Sequence, residues 1–165
     1  MLAALRDAGH EVRAASRSRV EQQGIDYVLA PELGPDADWS CALNGVDVVI
    51  HFAERAQVPS NKSDVETEEV YFRINTEGTR ALAEQAAAVG VKHFVFLSSC
   101  HAVAAESEAQ IIEKTQPNPV TAYGRSKLEA ERAIRKALSN TACAWIILVR
   151  RWSMGGAIKP ILVCC

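Results

Sequence analysis

No apolar run in the 165 residues approaches the ~20 that a bilayer-spanning helix requires, so the sequence gives no reason to expect a membrane. Nor is there a CxxC pair or a Cys/His spacing of the kind that holds a metal. The five cysteines (Cys41, Cys100, Cys143, Cys164 and Cys165) are odd in number and scattered, which argues for reduced thiols in a cytoplasmic setting rather than a disulfide framework. Charge of one sign is missing too. Eighteen Lys and Arg against twenty Asp and Glu leave a net charge of -2, without the basic excess that nucleic acid or an anionic membrane surface selects. The N-terminal MLAALRDAGHEVR has no long apolar stretch and does not read as a signal peptide. Internal repeats, low-complexity tracts and Pro/Gly/Ser-rich linkers are also absent. What remains is an ordinary globular composition, 48% hydrophobic and 23% charged, on a chain whose length fits one domain with a real core.

The clearest positive signal is alternation. Short apolar or β-branched runs at Glu11–Ala14, Asp26–Leu29, Val46–Phe52, His93–Leu97 and Ala144–Leu148 read as strands. Between them lie stretches of helical period. One runs from about Val65 to Val89, with Ile74, Gly78, Ala81, Leu82, Ala86 and Val89 recurring at three and four. Another runs from about Val120 to Leu138, with Leu128, Ala130, Ala133, Ile134 and Ala137 as apolar members. Met1–Ala8 reads as a helix closed by Gly9, and Gly90 closes the longer one, as glycine does just past a helix end. Apolar strands alternating with amphipathic helices predict an α/β fold, a doubly wound parallel sheet of Rossmann-like type covered on both faces. Such a domain ordinarily opens with a strand and a tight turn into its first helix. Here the reading begins inside that helix.

Two segments carry chemistry. In TAYGRSKLEAE, Tyr123 and Lys127 stand four apart, on one helix face one turn from each other. A phenol is a poor base at neutral pH, and an ammonium held beside it favours the phenolate and lowers its pKa. Such a pair can exchange a proton with a substrate hydroxyl. Alone, YxxxK is more often an ordinary tyrosine with a solvated lysine. A partner lies upstream, where the strand HFVFL ends in Ser98-Ser99, at the carboxyl end of a strand where active sites of open α/β sheets gather.

Together these segments resemble the extended short-chain dehydrogenase/reductase family, the NAD-dependent epimerase/dehydratases, over roughly residues 1–148. GVDVVIHFA looks like the family's fourth strand, whose end, with Phe52 and Ala53, passes under the cofactor. INTEGTRALAEQAAAVGVKHFVFLSS looks like the following helix and fifth strand, with Asn75 at the family's asparagine and Ser99 at its catalytic Ser/Thr. The resemblance implies a hydride mechanism. Tyr123 would take the proton from a sugar hydroxyl, Ser99 would hold the oxygen, and Lys127 would bind the nicotinamide ribose and tune Tyr123. Family dehydratases place an acidic pair after the catalytic Thr, whereas Cys100-His101 follow Ser99, so an epimerase is favoured. Among the branches, the UDP-glucose and UDP-N-acetylglucosamine 4-epimerases look most similar. That implies a nucleotide-sugar substrate such as a UDP-sugar, and a homodimer as a possible assembly. The cofactor is NAD or NADP. Ser16 and Arg17, with Arg19 nearby, stand where an acid would hold the 2'-hydroxyl of NAD, which leans to NADP, although both arginines read equally well as surface charges. Glu32 sits near the family's aspartate at the adenine.

Three departures qualify the resemblance. The GxxGxxG loop that lets backbone N–H groups approach a pyrophosphate is missing, so cofactor affinity should fall severely. Glu54 replaces a small residue after HFA, where a carboxylate would repel a pyrophosphate unless it turns away. After WIIL the family continues RPPLVYG, whereas this chain reads VRRWSMG, which a one-base shift of a suitable coding sequence produces. Residues 149–165 are therefore expected to be a tail foreign to the family, with a genuine short strand at ILVCC as the alternative. On this reading residues 1–148 are a partial NAD(P)-binding domain that lacks its first strand. Neighbouring strands are left with unpaired edges, and the isolated polypeptide is not expected to turn over a sugar nucleotide. Two rival readings stay open, a non-catalytic dinucleotide-binding relative and a functionless remnant of a truncated gene. His51 reads as a packed strand-end histidine, His101 more weakly as a substrate contact, and Glu129, Glu131 and Arg132 as helix-stabilising surface charges.

Overall fold

The computed structural model describes residues 1–18, 23–56, 68–104, 112, 114–150 and 162–164. In chain order the elements are α1 (Leu2–Asp7), β1 (Arg13–Ser16), β2 (Asp26–Leu29), the single turn α2 (Ser40–Leu43), β3 (Val48–His51) and α3 (Glu68–Tyr71). A π-helical segment (Phe72–Glu77) then runs into α4 (Gly78–Ala88), followed by β4 (His93–Ser99), a 3-10 turn (Cys100–Ala102), α5 (Ala122–Leu138), β5 (Ala144–Arg150) and β6 (Leu162–Cys164). The predicted strands and helices are all present among the described residues, with ends shifted by a few residues, and 65–67 at the expected start of the long helix lie outside the described residues. The fold is the expected Rossmann-like α/β arrangement of a parallel sheet with helices.

The six strands lie in the order β2-β1-β6-β3-β4-β5. Pairings β1–β2, β3–β4 and β4–β5 are parallel. Strand alternation sends Ala15, Val49, Phe94 and Phe96 to one face, where Leu82, Ala83 and Ala86 of α4 and Ala130, Ile134 and Leu138 of α5 bury them. Trp39 and Leu43 close one end of this core. Gln85 ties them down by accepting from the Trp39 N–H at 2.8 Å and donating to the Ala37 carbonyl at 2.8 Å. Leu2, Val12 and Ala14 form a smaller cluster with Leu5, Ile25, Tyr27 and Ile50. Both helices foreseen to stop at glycine do so, since Gly9 and Gly90 take φ of 89° and 85°, a region that side chains disfavour.

The expectation of unpaired edges beside a missing strand is corrected. Leu162–Cys164 lies between β1 and β3 and pairs antiparallel with both, Val163 standing opposite Ala14 on one side and Ile50 on the other. Two facing edges present rows of backbone donors and acceptors, and a short strand of either direction satisfies them. β5 continues through Val149 and Arg150, so the predicted tail begins inside a strand.

Candidate functional site

The site gathers where β3 and β4 end and α5 begins. Thr121 caps α5 by accepting from the Gly124 N–H at 3.0 Å, which fixes the register that sends Tyr123 and Lys127 inward. Gly124 lets the helix come close, because a Cβ there would lie 2.3 Å from the His101 carbonyl oxygen. On the facing helix the uniform period predicted for 65–89 gives way to the π segment, whose wider turn brings consecutive residues, Asn75 and Thr76, into the interior together. Thr76 Oγ1 donates to the Ser126 carbonyl at 2.9 Å and Asn75 Nδ2 donates to Ser126 Oγ at 3.1 Å, locking the two helices side by side. Asn75 also holds the segment after β3, accepting from the Arg55 N–H at 2.7 Å and donating to its carbonyl at 3.1 Å.

Ser99, Tyr123 and Lys127 are brought together and are all buried. The Ser99 hydroxyl accepts from the His101 N–H at 3.2 Å, and the Tyr123 ring is flanked edge-on by Tyr71 and His101. Lys127 is 1% exposed, and its Nζ donates to the Leu97 carbonyl at 2.8 Å and stands 4.1 Å above the Phe96 ring. The fourth member of the group is Glu54. Its Oε2 pairs with Lys127 Nζ at 2.9 Å, and both of its oxygens accept from the Tyr123 hydroxyl at 3.2 Å. Among the described residues no group of three or more His, Cys, Asp or Glu is placed to hold a metal.

This geometry corrects the expected electrostatics of the pair. The Tyr123 pKa is pushed up, not down, chiefly by burial and then by the Glu54 charge, with the Ser99 hydrogen bond acting in the opposite sense. Burial depresses the Lys127 ammonium, and Glu54 opposes that depression. Glu54 neutralises the charge that would otherwise act on the phenol, which is held as a neutral donor.

The remaining predicted residues spread along the strand ends. Phe52 and Ala53 follow β3, half-buried, immediately before Glu54, and Asn75 pins their segment as described. Arg17 and Glu32 are exposed beyond β1 and β2, on the other side of β6 from the Tyr–Lys group. His51 is a packed histidine, with Nε2 2.9 Å from Thr79 Oγ1. The surface reading of Glu131 is corrected, because it accepts from the buried Ser98 hydroxyl at 2.5 Å. Arg132 and Glu129 do form the surface pair expected of them. Sequence reasoning missed the roles of Ser126 and Glu131. It noticed Glu54 only as a misfit beside a pyrophosphate.

A family model described as the NAD dependent epimerase/dehydratase family matches residues 1–150. UDP-glucose 4-epimerase of Vibrio cholerae is 32% identical over 144 residues, covering 84% of this chain and 42% of that protein. Among solved structures, a short-chain dehydrogenase/reductase superfamily protein from Agrobacterium tumefaciens with bound NAD is 30% identical at a TM-score of 0.74, covering 88% of this chain and 43% of that one. UDP-glucose 4-epimerase from Brucella ovis in complex with NAD is 27% identical at a TM-score of 0.64, covering 77% and 38%. The chain spans less than half the length of these relatives. Among the described residues no helix is long and apolar enough to cross a membrane.

Proposed function

Because the chain belongs to the NAD-dependent epimerase/dehydratase family, we propose that its Ser99, Tyr123 and Lys127 form the proton-handling half of a site for oxidising and re-reducing a nucleotide sugar, as in a 4-epimerase. The observation that carries this reading is the convergence of all three at the C-terminal ends of β3 and β4, against the start of α5. A ring of carbon and oxygen carries few acidic protons, so its hydroxyl needs a positioned acceptor while the carbon is oxidised. Tyr123 can serve as that acceptor once its own proton has left as phenolate, and, having taken the sugar's proton, it can return the same proton to the keto oxygen. Ser99, at the end of β4, can hold the same substrate oxygen. Ser98, anchored to Glu131, keeps the strand end in register with α5.

The donors fit one half of the expected cofactor. The Lys127 ammonium and Tyr123 hydroxyl form a two-donor cradle suited to a ribose diol, and Phe52 and Ala53 immediately precede the Glu54 that reaches it. A bound nicotinamide would supply the acceptor and later the source of the hydride. NAD is favoured over NADP, since the two solved relatives described above hold NAD and Arg17 is an exposed surface residue. A UDP-sugar is the substrate class this reading takes from the relatives. Cys100-His101 after Ser99 favour epimerisation over dehydration. Self-association is supported by the exposed apolar side chains of β5, the last strand of the sheet among the described residues, with Ile146 at 55% and Leu148 at 48%. The cytoplasm fits the free thiols of Cys41, Cys100 and Cys143.

Calorimetric titration with NAD, followed by UDP-glucose, tests the reading. We expect NAD binding that Lys127→Met weakens by about tenfold, the loss of one charge-assisted hydrogen bond. We expect no sustained formation of the 4-epimer from this length of chain. Binding indifferent to Lys127→Met would overturn the site, and sustained epimerisation would overturn the expectation about length.

A further inference from the structure

Glu54 engages both the Tyr123 hydroxyl and the Lys127 ammonium, two of the three groups the proposed chemistry uses. It lies three residues past β3, on a segment whose backbone Asn75 clamps at Arg55, so its side chain is aimed inward by a fixed support. Its two oxygens meet the Tyr123 hydroxyl and the Lys127 ammonium, a spacing that a vicinal diol would also satisfy. A carboxylate is the stronger acceptor of the two, and more so where water is excluded. The Lys127 side chain is 2% exposed while that of Glu54 is 28% exposed, so the carboxylate sits at the mouth of the site with the amine behind it.

We propose that Glu54 is an internal lock on the Tyr123–Lys127 pair, its carboxylate standing in for the cofactor's ribose diol, so that NAD enters only in competition with it. This rests on the function proposed above. Removing the carboxylate returns the Lys127 charge to the phenol and frees both donors at once. The raised pKa of Tyr123, to which Glu54 contributes after burial, is the state expected of a locked pair. A small residue at this position would leave the cradle open.

The test compares the intact chain with Glu54→Gln and Glu54→Ala. Glu54→Gln keeps the shape and hydrogen-bonding capacity at the buried amine, which guards against simple unfolding from an unpaired Lys127. Phenol ionisation is followed in the near ultraviolet, with Tyr123→Phe identifying the Tyr123 signal among the three tyrosines. NAD affinity is measured by calorimetry. We expect the Tyr123 midpoint to fall by about one pH unit or more in both variants. We expect NAD to bind about tenfold more tightly, the reverse of losing a charge-assisted contact. An unmoved phenol overturns the lock whatever NAD does, as does NAD binding that is unchanged or weaker in both variants. A shifted phenol with no NAD binding to any of the proteins overturns the cofactor reading, and the competition with NAD falls with it, leaving only the hold of Glu54 on the phenol.

Discussion

At Gly124 a single hydrogen atom decides whether the site can assemble. The His101 carbonyl would stand 2.3 Å from any Cβ, and it belongs to backbone rather than to a side chain able to swing aside. Gly124→Ala must therefore push α5 away from the 3-10 turn, and we expect it to cost about 1–3 kcal/mol, as overpacked sites do, measured by urea unfolding. His51 makes a second residue-scale prediction. Burial, with the Lys127 charge adding to it, lowers its pKa from 6.5 to about 3, so the folded chain keeps it neutral. The unfolded chain takes up that proton as pH falls through 6.5, whereas the folded one does not until about 3. The stability this group contributes is therefore full above 6.5 and is lost progressively on acidification between those values. Relative to His51→Gln, the intact chain should lose an additional ~1.4 kcal/mol per pH unit below pH 6, read from urea midpoints. Tyr123, Lys127 and Ser99 were legible because spacing along one helix and position at one strand end are sequence properties. Glu54 was legible as a misfit but not as a partner of Tyr123, because the two are 69 residues apart and only tertiary packing makes them touch.

Strands and helices were legible from apolar period, since α4, α5 and the parallel strands each bury one pattern of side chains. The π segment was not. Its extra residue per turn is imposed by Asn75 and Thr76 both reaching Ser126, a demand from the neighbouring helix rather than from local propensity. β6 was foreseen only as an alternative, and its place between β1 and β3 was not foreseen at all. The backbone needs of two facing strands select it, and a hydropathy pattern does not register those needs. Val163→Pro tests this element. A proline in a central strand removes a ladder donor and leaves its partner unsatisfied, so we expect about 1–3 kcal/mol of lost stability and faster amide exchange in both β1 and β3. Exchange that quickens in neither strand would contradict the position of β6.

Over the whole molecule, the sheet supplies a platform at whose strand ends Glu54, Ser99, Tyr123 and Lys127 gather, and the relatives described above are more than twice as long. The question that matters most is whether NAD, added to this chain, goes to that group. Amide NMR during an NAD titration answers it directly. We predict shifts concentrated at Phe52, Ala53, Glu54, Asn75, Ser99, Tyr123 and Lys127. Shifts confined to other parts of the sheet, or none at all at saturating cofactor, would contradict the assignment of Ser99, Tyr123 and Lys127 to a cofactor-facing site.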